Sequence, residues 1–197
     1  MKNKGSKRKN ELLKIAYELF LSQGYENTSV DEIIEKAGIA KGTYYYYFQS
    51  KEQMLEEVID MMIEAQKEQA EKIMESDLPI PQKIVGIIAS YRPKSDESPI
   101  LETLNKPENV LFHDKVNKKL QSNVIPLLAK VTEDGIEEGI FQCSNVEERI
   151  RILIVISQEL FDDDQFTPAE LDVFIDVAEK ILGAKEGTLA FIRQLFQ

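Results

Sequence analysis

Four consecutive tyrosines, Tyr44 to Tyr47, follow Lys41-Gly42-Thr43 and precede Phe48, so four of the chain's seven tyrosines fall within one turn and a half of helix. On a helix, residues i and i+4 share a face. Tyr44 and Phe48 therefore point one way, Lys41 and Tyr45 another, Gly42 and Tyr46 a third. So short a helix cannot bury every side. Phenol hydroxyls, a lysine ammonium and backbone amides at a helix N-terminus are the groups that hold phosphate oxygens. The spacing predicts Tyr44 and Phe48 as core, with Lys41, Thr43, Tyr45, Tyr46, Tyr47 and Lys51 lining a phosphate-holding face. The competing reading is an aromatic cluster that only joins two helices. It is disfavoured because adjacent tyrosines cannot all enter one core.

Other chemistry has little to rest on. The chain has one histidine, His113, and one cysteine, Cys143, separated by 30 residues on different predicted elements. No nucleophile-elbow serine and no Gly-rich phosphate loop accompany them, so no catalytic residue and no cofactor is assigned. Asp162-Asp163-Asp164 could attract a cation, but three acids between two capped helices read as a solvated loop. No metal is assigned.

The elements that must position the tyrosine turn are legible. Ser29 as N-cap, with Glu32 three residues on, starts a helix at Val30, and Gly38 ends it by taking a left-handed conformation. An amphipathic helix over 7–23 precedes it, carrying Leu12, Leu13, Ala16, Leu19 and Phe20 on one side, with residues 1–6 as a polar tail. Ser50 and Gln53 start a fourth helix that runs to about Ser76, longer than three small helices can cover. Beyond Pro79 and Pro81 the helical pattern continues: a short apolar helix over 82–91, a polar loop over 94–98, another turn or two of helix to Asn105, and a stretch from Pro107 to Glu138 interrupted or kinked at Pro126. Asn145 with Glu148, and Thr167-Pro168 with Glu170, cap two further helices, and Thr188 to Phe196 closes the chain as a short amphipathic segment. No alternation of period two survives, so the fold class is all-α: a three-helix head, a long fourth helix and a helix-bundle body.

Residues 24–52 resemble the DNA-binding motif of the TetR family of transcriptional regulators. The resemblance rests on Gly24, Thr28-Ser29-Val30, Ile33-Ile34, Ala37-Gly38-Ile39, Lys41-Gly42-Thr43, Tyr45, Tyr47-Phe48 and Ser50-Lys51-Glu52. Ala40 stands where the family usually has a serine N-cap, and Tyr44 where it usually has leucine. The resemblance implies a helix-turn-helix DNA-binding domain over 1–51 and a ligand-binding and dimerisation domain over 52–197. It also adds Thr28, Ser29 and Gly42 to the DNA-contacting residues. The implied function is that of a regulator, most often a repressor, that binds a palindromic double-stranded operator as a homodimer and is released by a small-molecule effector. For the effector cavity, polar residues on apolar helix faces are the candidates, Tyr91, His113, Ser157 and Gln158, together with the apolar Met62 of the fourth helix. The far end of the fourth helix, near Met61, Met62 and Ile63, is expected to wall that cavity. For the dimer interface, the wide apolar stripes over 146–162 and 168–182 point to Ile150, Leu153, Ile154 and Phe161, and to Leu171, Phe174, Ile175 and Ala178. A helical signalling module with a vestigial head is the alternative, separable by salt-dependent binding to duplex DNA.

Charge patterning fits this division. The net charge of −11 argues against nucleic acid, but residues 1–51 hold nine Lys/Arg against six Asp/Glu, and the remainder 15 against 29. A basic head on an acidic body results. The single cysteine suits a reducing cytoplasm, no apolar run follows the basic N-terminus as in a signal peptide, and the longest apolar run, Ile152–Ile156, is too short to span a bilayer.

Overall fold

Helix start and stop signals account for most of the element boundaries in the structure, a computed structural model that describes residues 4–92, 97–161 and 166–196. In chain order the helices are α1 (Lys4–Gln23), α2 (Val30–Ala37), α3 (Lys41–Tyr47), α4 (Lys51–Met74), α5 (Ile80–Ser90), α6 (Ser98–Leu104), α7 (Val110–Glu137), α8 (Val146–Phe161) and α9 (Pro168–Leu182). Short 3-10 segments at Pro107–Asn109 and Ala190–Phe196 complete the order, and the described residues contain no strand. The capping boxes at Ser29/Glu32 and Thr167/Glu170 both form, and Gly38 and Gly183 both close their helices at positive φ, 61° and 65°. At Gly183 the requirement is also spatial, because an added Cβ would lie 2.1 Å from the carbonyl oxygen of Gln142.

Three expectations are corrected. α1 begins at Lys4, so Lys4 to Ser6 belong to a helix and not to a polar tail. α7 runs through Pro126 as one helix, which overturns the interruption among the two readings, interrupted or kinked. Pro126 is exposed, as is Ser122, whose carbonyl loses its helical donor there and can turn to water. Asn145 takes φ 53°, a left-handed geometry incompatible with the extended N-cap of a capping box.

The chain divides into two compact units whose boundary falls inside α4 and α7. The first unit holds residues 1–65 and 93–117. Its core is built on the fully buried Leu12, Phe20, Ile33, Tyr44, Phe48 and Met54. α6 packs on α1, contributing buried Ile100 and Leu104. The buried carboxylate of Glu97 accepts a hydrogen bond from the Tyr17 hydroxyl at 3.1 Å, and Lys106 pairs with Glu26 at 2.7 Å. Glu97, α6 and Lys106, read as body, thus pack against the helices of the head. The second unit holds residues 66–92 and 118–197, with one continuous apolar core drawn from the end of α4, from α5, α7, α8 and α9, and from the last 3-10 segment.

Candidate functional site

In the first unit, α2 and α3 meet across the turn 38–40, with Tyr44 and Phe48 wholly buried beneath α3. The extra hydroxyl of Tyr44 donates to the Ser50 carbonyl at 3.3 Å, and burial pushes its pKa up to about 12, so it stays a donor. Ala40 offers α3 no side-chain cap. The outer side of α3 is left to solvent: Tyr46 is 81% and Tyr45 48% exposed, and Lys41 and Gly42 are also exposed, with Thr43 and Tyr47 half-buried. An added Cβ on Gly42 would meet nothing within 4 Å. Lys41 pairs with Asp31 of α2 at 3.0 Å, and this hydrogen bond holds its pKa above the ordinary lysine value. Tyr46 and Tyr47 stack edge-on at 4.9 Å between centroids.

Three other sequence-selected residues are placed as supports of the turn. Ser29 is the N-cap of α2. Thr28 is 1% exposed, and its hydroxyl donates to the Gly24 carbonyl at 2.8 Å. The Lys51 ammonium donates to the carbonyls of Tyr25 at 3.0 Å and Thr28 at 3.1 Å, and lies 4.2 Å from the centre of the Tyr25 ring. It ties the start of α4 to the α1–α2 turn.

The second unit holds a cavity of about 310 Å³ that is open to solvent on one side. Tyr91, Ser157 and Gln158 line it; Met62 and His113 do not, and both belong to the first unit. His113 instead lies 3.4 Å from the Asn117 amide. α4 supplies no lining residue, which corrects the expected wall at Met61–Ile63; the walls come from α5, α7, α8, α9 and the C-terminal segment. Leu120 and Gln121 of α7, missed in the sequence, join them, and Gln121 donates to the Gln158 side-chain oxygen at 2.7 Å. Nothing in the sequence marked Gln121, because a lone glutamine among lysines reads as surface.

The residues expected at a dimer interface face inward. Ile150, Leu153, Leu171, Phe174, Ile175 and Ala178 are buried within the chain, and Ile154 and Phe161 line the cavity. The apolar side chains that α8 and α9 leave outside are Ile152, Val155 and Val173, 52%, 50% and 62% exposed. Asp162-Asp163-Asp164 lie outside the described residues, and the described ones hold no group of three His/Cys/Asp/Glu able to bind a metal.

Residues 12–58 match the family model for bacterial regulatory proteins of the tetR family, and residues 94–185 match a tetracyclin repressor-like C-terminal domain. The chain belongs to the TetR family. It is similar to the HTH-type transcriptional regulator YhgD of Bacillus subtilis (strain 168), 25% identical over 67% of this chain and 71% of that protein. It is also similar to the HTH-type transcriptional repressor KstR2 of Mycolicibacterium smegmatis, 27% identical over 68% of each chain. In fold it matches a transcriptional regulator from Cytophaga hutchinsonii, with a TM-score of 0.64, 18% identity, and 94% and 96% of the two chains covered. This TetR-family protein is thus a helix-turn-helix transcriptional regulator whose relatives are regulators and not enzymes. Among its described residues no helix is long and apolar enough to cross a membrane.

Proposed function

We propose that this TetR-family regulator binds a palindromic operator as a homodimer and releases it when a small molecule enters the second unit. The observation that carries the DNA reading is the outer face of α3. A glycine inside a helix costs up to ~1 kcal/mol relative to alanine. Gly42 has no neighbour in the chain that its bare backbone accommodates, and beside it Tyr45 and Tyr46 hold large apolar rings in water. A partner surface that approaches closely and offers phosphate oxygens accounts for all three. Lys41, Gly42, Thr43, Tyr45, Tyr46 and Tyr47 form the proposed contact face. Thr28, Ser29 and Lys51 hold it in shape.

The cavity supports effector control, and α7 is the element suited to carry it. Its residues 118–137 belong to the unit with the cavity, and its residues 110–117 to the helix-turn-helix unit. A ligand pressing on Leu120 and Gln121 acts on a helix that both units share. Interiors are close-packed, so such a helix shifts as a body more readily than it compresses. The test is anisotropy titration of duplex DNA from around the protein's own gene, against rising salt. Affinity for one segment should exceed that for random duplex and fall linearly in log–log form with salt. Equal affinity for every duplex would remove the operator reading.

A further inference from the structure

Two polar side chains of the cavity wall come from different helices and meet. On α8, Ile154, Gln158 and Phe161 recur at the spacing of one helix face, with Ser157 beside them, so a polar spot interrupts an apolar stripe along the cavity. On α7, Gln121 stands in the same way between Leu120 and Val124. The two spots are one, because Gln121 Nε2 donates to Gln158 Oε1 at 2.7 Å. That bond uses one N–H of Gln121 and one lone pair of Gln158. The Gln121 oxygen and both N–H groups of Gln158 have no other partner among the described residues. The Ser157 hydroxyl donates to the Ile154 carbonyl at 2.8 Å and keeps its lone pairs. Thr132, 11 residues further along α7 and so roughly 16 Å away along its axis, donates to the Leu128 carbonyl, and the α7 wall between is apolar.

Resting on the effector reading above, we infer that the ligand is a largely apolar molecule with one head that both donates and accepts hydrogen bonds, as a hydroxyl does, and that Gln121 and Gln158 read this head between them. The paired amides offer an acceptor, the Gln121 oxygen, beside donors, the Gln158 N–H groups. A ligand that fills the cavity takes the place of water at both. A head that only accepts would leave the Gln121 oxygen without a donor, and one that only donates would leave the Gln158 amide without an acceptor; either loses affinity.

1-Octanol and its isomer 1-methoxyheptane, with the 10- and 12-carbon pairs, titrated calorimetrically into the full chain, test this. The two isomers differ in the donor alone, and an apolar cavity that reads no donor favours the ether, which loses less on leaving water. The alcohol should nevertheless bind about tenfold tighter. Gln121→Met and Gln158→Met keep an unbranched, helix-favouring side chain at half-buried positions. Each should remove the alcohol's advantage, with residual ether binding reporting that the cavity has formed. An ether that binds as tightly as its alcohol overturns the inference and leaves the effector reading standing, as does an advantage that survives both substitutions. Failure of both heads at all lengths overturns the effector reading itself.

Discussion

Lysines of similar appearance in the sequence have different work, and single substitutions separate them. Lys51→Met should destabilise the helix-turn-helix unit by roughly 1–3 kcal/mol, the range for charge-assisted hydrogen bonds, because carbonyls of the α1–α2 turn lose their donor. For the folded protein the salt slope of DNA affinity should not move. Lys41→Ala should reverse this, lowering the slope by about one unit with little effect on thermal unfolding, since its ion pair with Asp31 is exposed. The sequence showed a cation near the turn, but not the carbonyls that converge on it from residues 25 to 28. The capping boxes at Ser29/Glu32 and Thr167/Glu170 were legible, being local in sequence, whereas the one read at Asn145/Glu148 does not form; those that form add a pH dependence. The Ser29 backbone amide holds the Glu32 carboxyl below its usual range, and hydrogen bonds from Lys106 and the Ser50 side chain do the same for Glu26 and Glu52. A depressed folded pKa contributes stability that is present above the unfolded value, near 4.5, and lost as pH falls through the folded one. Stability of this unit, followed by the near-UV dichroism of its clustered tyrosines, should therefore decline below pH 4.5. Glu32→Gln keeps a capping partner that does not titrate, so its acid-side slope should be shallower; an equal slope would remove Glu32 from the linked groups.

At the scale of elements, close approaches decide which helices can be read from sequence. α5 comes so near α4 that a Cβ on Gly86 would stand 2.9 Å from Cγ2 of Ile73, whereas a Cβ on Gly183 would strike backbone at 2.1 Å. Gly86→Ala is expected to cost about 1–3 kcal/mol by overpacking. That cost should shrink when Ile73→Ala is added, a coupling of roughly 0.5–3 kcal/mol in a double-mutant cycle of denaturant unfolding. Gly183→Ala has both a backbone clash and a φ of 65° against it, and no side-chain substitution should relieve it. Simple additivity at Gly86 and Ile73 would mean that α5 does not rest on α4 there. The same geometry explains what the sequence hid. α4 looked like the cavity wall because it was the longest helix leaving the tyrosine turn, yet α5 occupies that position and presents Ile84 and Ile88 to the cavity. α6 looked like a piece of the body because its packing on α1, through Tyr17 and Glu97, joins residues 80 positions apart.

At the scale of the molecule, α8 and α9 carry apolar side chains on two sides, and the choice between them sets the assembly. A periodic stripe shows that a face must be covered, but not whether the same chain or a second copy covers it. The stripe through Ile150, Leu153 and Phe174 is already buried within the chain, so a partner cannot bury it again. The other stripe runs through Ile152, Val155, Ile156 and Leu160 on α8 and through Ala169, Val173 and Val177 on α9, with a shallow groove between Leu160 and Val173 able to receive side chains. Two such helices from each of two copies, related by a two-fold axis, make a self-complementary four-helix contact, expected to bury more than ~1,000 Å² in total. Val155→Glu combined with Val173→Glu places four carboxylates in that contact per dimer. Both positions are at least half exposed in the single chain, so the variant should fold. Sedimentation at micromolar concentration should give a dimer for the natural chain and a monomer for the variant. The monomer should retain whatever the cavity binds, because none of the substituted residues lines it. Its affinity for a two-half-site operator should fall towards that for a single half-site, since each α3 would then have to find its groove alone. A variant that stays dimeric would move the interface off this face. A monomer that still binds the two-half-site operator at full strength would show that pairing through α8 and α9 is not what aligns the two reading helices.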